Sequence, residues 1–579
     1  MFSYHPPVKH MRYVLNDVLS ATARLRQEAG FADLDAELVQ QVLEEAGRFT
    51  SEVLFPLNAS GDKQGCRFEN GVVTTPDGYA DAYRQFHEAG WASLSCDPDD
   101  GGQGLPQVLN CALEEMMVSA NHAWTMYPGL LHGAYTCLRA HGSEALKQAY
   151  LPKLVSGEWL ATMCLTEPQA GSDVGLLRTR AEPDGEQAYR ISGSKIFISG
   201  GEHDLTDNII HLVLARIPGA PEGSKGISLF LVPKIGPDGA RNRIVCTGIE
   251  HKLGIRGSAT CSLDFDGATG WLVGEPHRGL AAMFVMMNAA RMLAGAQGIG
   301  IAEAAWQNAE RYAQERLQMK AVCRPPERQS AAADPIALHP PVQRLLATQR
   351  CYVQGGRMLL YWSGLLLDLA HASADAARRQ QLEQLLALVT PVVKAFLTQK
   401  AFDGASNALQ VYGGYGVITE TGIEQYLRDV RVTMIYEGTN EIQAIDLVLR
   451  KILADQGRTL PMLLDEVRHT AQDEADGPLA GHSCLLLSLT RELAAVADAL
   501  HGAARARPEL PHWIAGDIVK LLGHCLIGWM WLRSARVSIR LHEQDPAFHA
   551  EQRASAQHYF TYVFAETQEA LAVVRACLG

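Results

Sequence analysis

The sequence predicts an α+β multidomain fold: an N-terminal helical domain, a small central β-barrel or sandwich, a C-terminal four-helix bundle and an appended all-helical domain. Three observations predict it. At ~100–200 residues per domain, 579 residues imply three to five units. Helical periodicity dominates both ends of the chain. Between Trp159 and about Trp271, short β-rich runs alternate with Gly, Pro, Asn and Asp turns. No long helical pattern is interleaved there, which argues against a doubly wound parallel sheet. The expected boundaries are 1–160, 161–275, 276–455 and 456–579.

In chain order, residues 8–58 carry helical periodicity, broken at Gly30 and restarting at Asp33 or Asp35 as caps. Gly61–Gly71 and Pro76–Gly78 are rich in turn residues, Ala80–Ala89 is helical, and Asp97–Pro106 (DPDDGGQGLP) is a loop. Helices follow over Val108–Ala120, Pro128–His141 and Ser143–Ser156. Strands are expected at Tyr189–Ile191, Lys195–Ser199, Ile209–Ile217 and Ile227–Val232. From Gly279 the pattern is helical again. Met283, Met287, Arg291, Leu293, Ile299, Ala302 and Trp306 lie on one amphipathic pattern with many small residues, suited to close helix packing. Cys323–Pro341 is a Pro/Ala-rich excursion, followed by helices at Val342–Ala370, Arg378–Ala401 and Ala405–Val411. Glu420–Met434 and Glu441–Leu453 are helical too. Beyond Leu460 a separate apolar periodicity continues, with a polar break near Ala475–Pro478.

Composition narrows the function classes. With 47% hydrophobic and 20% charged residues, disorder is excluded as the main state. Lys plus Arg total 51 against 64 Asp plus Glu, a net charge of −13 that disfavours nucleic acid while leaving room for a local basic site. The apolar stretches at Leu521–Leu532 and Met283–Met287 are short or interrupted by His524, Asn288 and Arg291, so no membrane span is expected. The start, MFSYHPPVKHMRYVL, has no apolar leader core, and a cytoplasmic protein is expected. The twelve cysteines form no CxxC pair and read as buried free thiols, with no metal site. There is no GxxxxGK[ST], HExxH or GxSxG. Gly295, Gly298 and Gly300 lie within a helical run, where helix packing accounts for them better than dinucleotide binding.

Three segments carry chemistry. In Met163–Asp173 (MCLTEPQAGSD), a strand gives way to Pro168 and Gly171, with Thr166, Ser172 and Asp173 as short polar groups; exposed N–H groups beside hydroxyls suit a pyrophosphate or a flavin edge. In Gln410–Gly416 (QVYGGYG), glycines permit close backbone approach. In Met434–Gln443 (MIYEGTNEIQ), Glu437 lies where one helical pattern stops and another starts. A carboxylate at an irregular turn is fixed in orientation and partly desolvated, as a general base requires. Each segment alone also reads as an ordinary turn or cap, with Thr439 or Asn440 capping the next helix.

Their combination and order resemble the acyl-CoA dehydrogenase family. MCLTEPQAGSD and YRISGSKIFIS resemble its two flavin-contacting signatures; QVYGGYG, YLRDVR and MIYEGTNEIQ resemble its C-terminal helical signatures. The start, the segment IEHKLGIRGSAT and the helical tail resemble a longer subgroup that includes 3-methylmercaptopropionyl-CoA dehydrogenases. The resemblance implies FAD as cofactor, an acyl-CoA substrate and Glu437 as the base that removes the α-proton, with β-hydride transfer to flavin N5 and a trans-2-enoyl-CoA product in fatty acid β-oxidation. It implies FAD contacts at Met163, Leu165, Thr166, Gly171, Ser172, Phe197 and Ser199, the last two replacing the more common Trp and Thr. Arg316, Gln410 and Gly414 match positions that reach FAD across a subunit boundary, and Thr439 and Glu441 match the adenine side. Ser172, Arg291, Tyr436, Gly438 and Arg256 are the expected substrate contacts. Some family members carry the base on the helix around Asn288–Arg291; here those positions are Asn, Ala, Ala and Arg, which leaves Glu437. Electron-transfer flavoprotein is the expected acceptor and a homodimer the expected assembly. The alternatives are an acyl-CoA oxidase using oxygen, or a non-catalytic flavoprotein on the same scaffold.

Overall fold

The computed structural model describes residues 2–185, 187–455 and 457–579; Met1 and Gln456, the predicted first residues of the first and last domains, lie outside them. The chain is a mainly helical protein with one barrel-like sheet. Packing groups it into two compact units that cut across the linear order. One unit comprises Phe49–Leu105 and Ala120–Leu293, the other Met1–Arg48, Pro106–Ser119 and Ala294–Gly579.

The first unit holds the strands. β1 (Arg67–Glu69) and β2 (Val72–Thr74) form a small hairpin inside the stretch that reads as turns in the sequence. Three residues per strand are too few to register as alternation. β3 (Leu160–Cys164), β4 (Arg180–Asp184), β5 (Ala188–Ser199), β6 (Ile209–Arg216), β7 (Ile227–Pro233), β8 (Ile244–Ile249) and β9 (Thr260–Val273) form a seven-stranded sheet in the order β3-β6-β4-β5-β9-β7. A further β6–β7 pairing closes the ring, and β8 pairs with β9. β3, β6 and β7 are buried along almost their whole length, so they read as continuous apolar runs instead of alternating ones. Tyr189–Ile191 and Lys195–Ser199, separate in the sequence reading, are one strand with register shifts after Ile191 and Lys195.

The second unit is helical. Its long elements are Pro340–Ala372, Ala376–Tyr412, Thr459–Gln472, Ala480–Ala506 and Leu510–Arg540. Arg378–Ala401 and Ala405–Val411 merge into the single Ala376–Tyr412 helix, because Asp403 and Gly404 do not interrupt the backbone ladder. The predicted packing glycines are confirmed: a Cβ on Gly295 would stand 2.5 Å from Val393 Cγ1, and one on Gly300 2.7 Å from the Glu115 carbonyl. Asp35 caps the Ala36–Phe49 helix through Leu38 N–H at 2.8 Å.

The apolar stretches are longer than the sequence reading gives them. Among the described residues three helices, Gly279–Glu315, Ala376–Val417 and Leu510–Arg540, are long and apolar enough by length and composition to cross a membrane. Their most apolar windows are 56%, 72% and 78% buried inside the protein. Interruptions such as His524 do not shorten them, because its ring is itself buried and hydrogen-bonded to the Tyr559 hydroxyl at 3.2 Å.

Candidate active site

In the barrel unit, β3 carries Met163 and Cys164 into the core, and the chain then turns sharply, with Glu167 and Ala170 exchanging N–H···O bonds of 3.0 and 2.9 Å. Ile196 N–H donates to the Thr166 carbonyl at 2.9 Å, tying this turn to β5 beside Phe197. A buried ion pair holds both segments: Lys195 Nζ lies 2.8 Å from Glu167 Oε1, with side chains 0% and 3% exposed. Lys195 also donates to the Leu165 carbonyl at 3.1 Å. Glu167 accepts from Thr179 N–H and hydroxyl at 3.0 and 2.6 Å, from Arg178 N–H at 2.7 Å and from the Gln169 amide at 2.7 Å. Burial alone would raise the Glu167 carboxyl; the Lys195 ammonium and these donors outweigh it and hold the carboxyl at about 2.

The same clamp lies beside Phe197, which the sequence resemblance expects to flank a flavin. Between Lys195 and Ile198 the β5–β9 register shifts, and Phe197 is forced to φ +60° with its ring 58% exposed. A bulge re-aims a side chain out of the sheet, and a left-handed aromatic residue costs roughly 1–3 kcal/mol, so strain is stored where the sequence expects a ligand. Ser199 follows, paired with Thr260 and half-buried. Gly171 has open space where a Cβ would stand, and Ser172 is exposed beside it. Arg291 is nearly buried, donating to Asn288 Oδ1 at 3.3 Å and lying 5.8 Å from the Phe284 ring centre. Arg256 is exposed on a loop where Ile255 takes φ +46° and the Tyr127 hydroxyl bridges the Gly257 carbonyl at 3.1 Å and the Ala259 N–H at 2.9 Å.

In the helical unit, Glu437 is half-buried at φ +57°, followed by Gly438 at φ +83°. Two consecutive left-handed residues expose the carbonyls of the turn to side chains of the bundle. Gln443 Nε2 donates to the Glu437 carbonyl at 2.8 Å, and Lys394 Nζ to the Gly438 carbonyl at 2.7 Å. The Tyr436 hydroxyl donates to Gln297 Oε1, and burial together with the Glu437 charge keeps that phenol protonated. Thr439, not Asn440, caps the next helix, accepting from Ile442 N–H at 3.3 Å; Asn440 instead accepts from Lys394 at 2.9 Å. Glu441 is exposed on the first turn of that helix.

A third group surrounds a cleft of about 450 Å³ lined by Tyr312, Arg316, Gly413, Gly414 and Tyr415, among others. The Arg316 guanidinium lies 5.7 Å from the Tyr415 ring centre, and Gly413 and Gly414 have no atom within 4 Å of where a Cβ would stand. Gln410, exposed one turn earlier, is not among the lining residues.

Four family models match these segments in chain order: the acyl-CoA dehydrogenase N-terminal domain over 37–158, the middle domain over 162–268, the C-terminal domain over 277–453, and an acetyl-CoA dehydrogenase C-terminal-like domain over 463–577. A 3-methylmercaptopropionyl-CoA dehydrogenase of Ruegeria pomeroyi is 42% identical over 535 residues, 91% of this chain and 90% of its own. The chain belongs to the acyl-CoA dehydrogenase family. Another relative of this acyl-CoA dehydrogenase, a broad-specificity linear acyl-CoA dehydrogenase of Mycobacterium tuberculosis, is 34% identical over 563 residues, covering 93% and 91% of the two chains. The fold matches an acyl-CoA dehydrogenase complexed with FAD from Bacillus anthracis (TM-score 0.76, 22% identity, 95% of this chain and 89% of that one). It also matches Caenorhabditis elegans ACDH-11 in complex with C11-CoA (TM-score 0.75, 21% identity, 100% and 91%).

Within this acyl-CoA dehydrogenase, sequence reading misses four residues that anchor these segments: Glu167 and Lys195 in the barrel unit, and Lys394 and Gln443 in the helical unit. A signal was present for the lysines. Lys394 is a lone cation inside the apolar run PVVKAFL and Lys195 one at the edge of the apolar IFI in SKIFIS, and such a residue sits in a core when a partner answers its charge.

Proposed function

We propose that this enzyme oxidises the Cα–Cβ bond of an acyl-CoA thioester to the trans-2-enoyl-CoA, with FAD as oxidant and Glu437 as base. The observation that carries the reading is the Glu437 turn, a carboxylate on a left-handed residue whose backbone is anchored at two successive carbonyls. The residues present also fit the flavin nucleotide. Open backbone at Gly171, Gly413 and Gly414 leaves N–H groups approachable by phosphate, Arg316 supplies a cation, and Phe197 offers an exposed aromatic face. Bound FAD supplies a two-electron hydride acceptor.

Met163, Leu165, Thr166, Gly171, Ser172, Phe197 and Ser199 would hold one FAD, while Arg316, Gln410, Gly414, Thr439 and Glu441 serve the nucleotide of a partner copy in a homodimer. Glu437 takes the α-proton. Its backbone N–H donates to the thioester oxygen, where negative charge develops, because a carboxylate is too weak a base without that stabilisation. Tyr436, Gly438 and Ser172 line the acyl-CoA, and Arg291 and Arg256 supply positive charge for the anionic CoA within a chain of net charge −13. Electron-transfer flavoprotein is the proposed acceptor. The helices after Thr459 favour one second reading, an acyl-CoA oxidase, since oxidases of this scaffold also carry extra C-terminal helices.

Anaerobic titration of the yellow holoenzyme tests both. Acyl-CoA should bleach the flavin, and Glu437→Gln should retain the colour and lose bleaching. Fast reoxidation by oxygen would favour the oxidase; no bleaching by straight, branched, aryl or methylthio acyl-CoAs would sink both. Similarity to the Ruegeria enzyme makes 3-methylmercaptopropionyl-CoA the first substrate to try.

A further inference from the structure

Lys394 lies in the middle of the Ala376–Tyr412 helix, and its side chain is fully buried. Its neighbours in sequence are Val392, Val393, Ala395 and Phe396, all buried and apolar. Burying an ammonium there is unfavourable unless its protons are answered. Two are answered by the Glu437 turn: the Gly438 carbonyl at 2.7 Å and Asn440 Oδ1 at 2.9 Å. Asn440 returns its amide to the Ala395 carbonyl at 3.1 Å, one residue along from Lys394, and Thr398 donates to Asn440 Oδ1 at 3.2 Å. The helix and the turn are therefore stitched by a closed set of hydrogen bonds centred on one cation. The stitch attaches to the residue after Glu437, while Gln443 takes the carbonyl of Glu437 itself.

We propose that Lys394 is a positioning residue for α-proton abstraction: by holding the Gly438 carbonyl it keeps the Glu437–Gly438 pair left-handed, and so sets both the aim of the carboxylate and the direction of the Glu437 N–H. The proposal rests on the reading of Glu437 as the base. A neutral side chain of similar length fills the same volume but leaves the Gly438 carbonyl without the ammonium and Asn440 Oδ1 with one donor fewer, and the turn can then relax toward ordinary negative φ. Both groups that act on the substrate, the carboxylate and the N–H, belong to the residue that relaxes. The lesion therefore falls on the chemical step more than on binding.

The test uses FAD-loaded full-length enzyme and an acyl-CoA with sulfur in place of the β-carbon, which loses an α-proton but has no β-hydride to transfer. Exchange of its α-hydrogens with solvent deuterium, read by mass spectrometry, reports proton abstraction alone. Lys394→Met should keep FAD and bind the analogue within about threefold of wild type, while exchange slows on the order of 100-fold. Glu566→Gln, which breaks an ion pair with Lys400 six residues further along the same helix and touches neither the Gly438 carbonyl nor Asn440, serves as the control for general destabilisation and should exchange normally. Should Lys394→Met fail to fold, Asn440→Ala removes the Asn440 oxygen that holds the ammonium, and exchange should still slow about tenfold. Wild-type exchange in folded Lys394→Met, or in Asn440→Ala where that variant stands in, overturns the proposal. Wild-type exchange in Glu437→Gln instead overturns the assignment of the base, a separate outcome.

Discussion

Phe197 at φ +60° and Glu437 at φ +57° are both non-glycine residues in a conformation that costs roughly 1–3 kcal/mol, and both are positions expected from sequence to flank the reacting atoms. A buried lysine anchors the chain next to each: Lys195, two residues before Phe197, pairs with Glu167, and Lys394 donates to the Gly438 carbonyl just after Glu437. Lys195→Met leaves the Glu167 carboxylate buried without its cation, and a loss of about 3–5 kcal/mol in chemical denaturation is expected, with FAD released. The pH dependence has a definite sign. The Glu167 carboxyl titrates at about 2 in the folded chain against 4.5 when unfolded, so its stabilisation is complete above pH 4.5 and is lost as pH falls toward 2. The stability gap between wild type and Glu167→Gln should therefore shrink over that window; a gap that is constant with pH would show that Glu167 acts through packing alone. Gly438→Ala places a Cβ 2.7 Å from the Gln443 amide at a φ of +83°. Flavin reduction in that variant should slow by about 10–100-fold with FAD retained, in stopped-flow measurement.

At the level of elements, helix contacts depend on missing side chains. The ring of Phe396 lies 2.4–2.7 Å from where a Cβ on Gly523 would stand, so the Leu510–Arg540 helix rests directly on the Ala376–Tyr412 helix. Gly523→Ala should destabilise by about 1–3 kcal/mol in chemical denaturation, through overpacking against a ring that has no free volume to enter. Helix periodicity in these segments is legible in sequence because 3.6-residue spacing survives any tertiary context. The merging of Arg378–Ala401 with Ala405–Val411 is not legible, since a polar pair like Asp403–Gly404 ends some helices and continues others. The bulge after Lys195 is equally silent: it depends on what β9 offers opposite, not on the local residues of β5.

For the whole molecule, a buried polar network in the helical unit joins elements far apart in sequence. Arg357 donates to Glu115 at 2.8 Å and to Glu303 at 2.5 Å, approaches His10 Nδ1 at 3.0 Å, and Glu115 accepts from the Tyr361 hydroxyl at 2.7 Å. The N-terminal helix, the Gln107–Thr125 helix and the two long helices after Gly279 are thus tied through one guanidinium. Arg357→Met would strand two buried carboxylates; a drop of about 3–5 kcal/mol in unfolding free energy is expected, and a change under 1 kcal/mol would show the network to be dispensable. No sequence pattern announces this network, because its members are spread from residue 10 to residue 361.

What the sequence determined by itself is the α–β–α–α order and the family, since periodicity, glycine turns and short motifs are local properties that chain chemistry expresses directly; the same motifs single out Glu437 as the proposed base. What only the tertiary structure decided is which charges are buried together. Glu167 with Lys195, Lys394 with the Glu437 turn, and Arg357 with Glu115 and Glu303 pair across dozens to hundreds of residues. Their strength comes from the dry interior that folding creates, and a lysine or glutamate in the sequence carries no mark of whether it will end there.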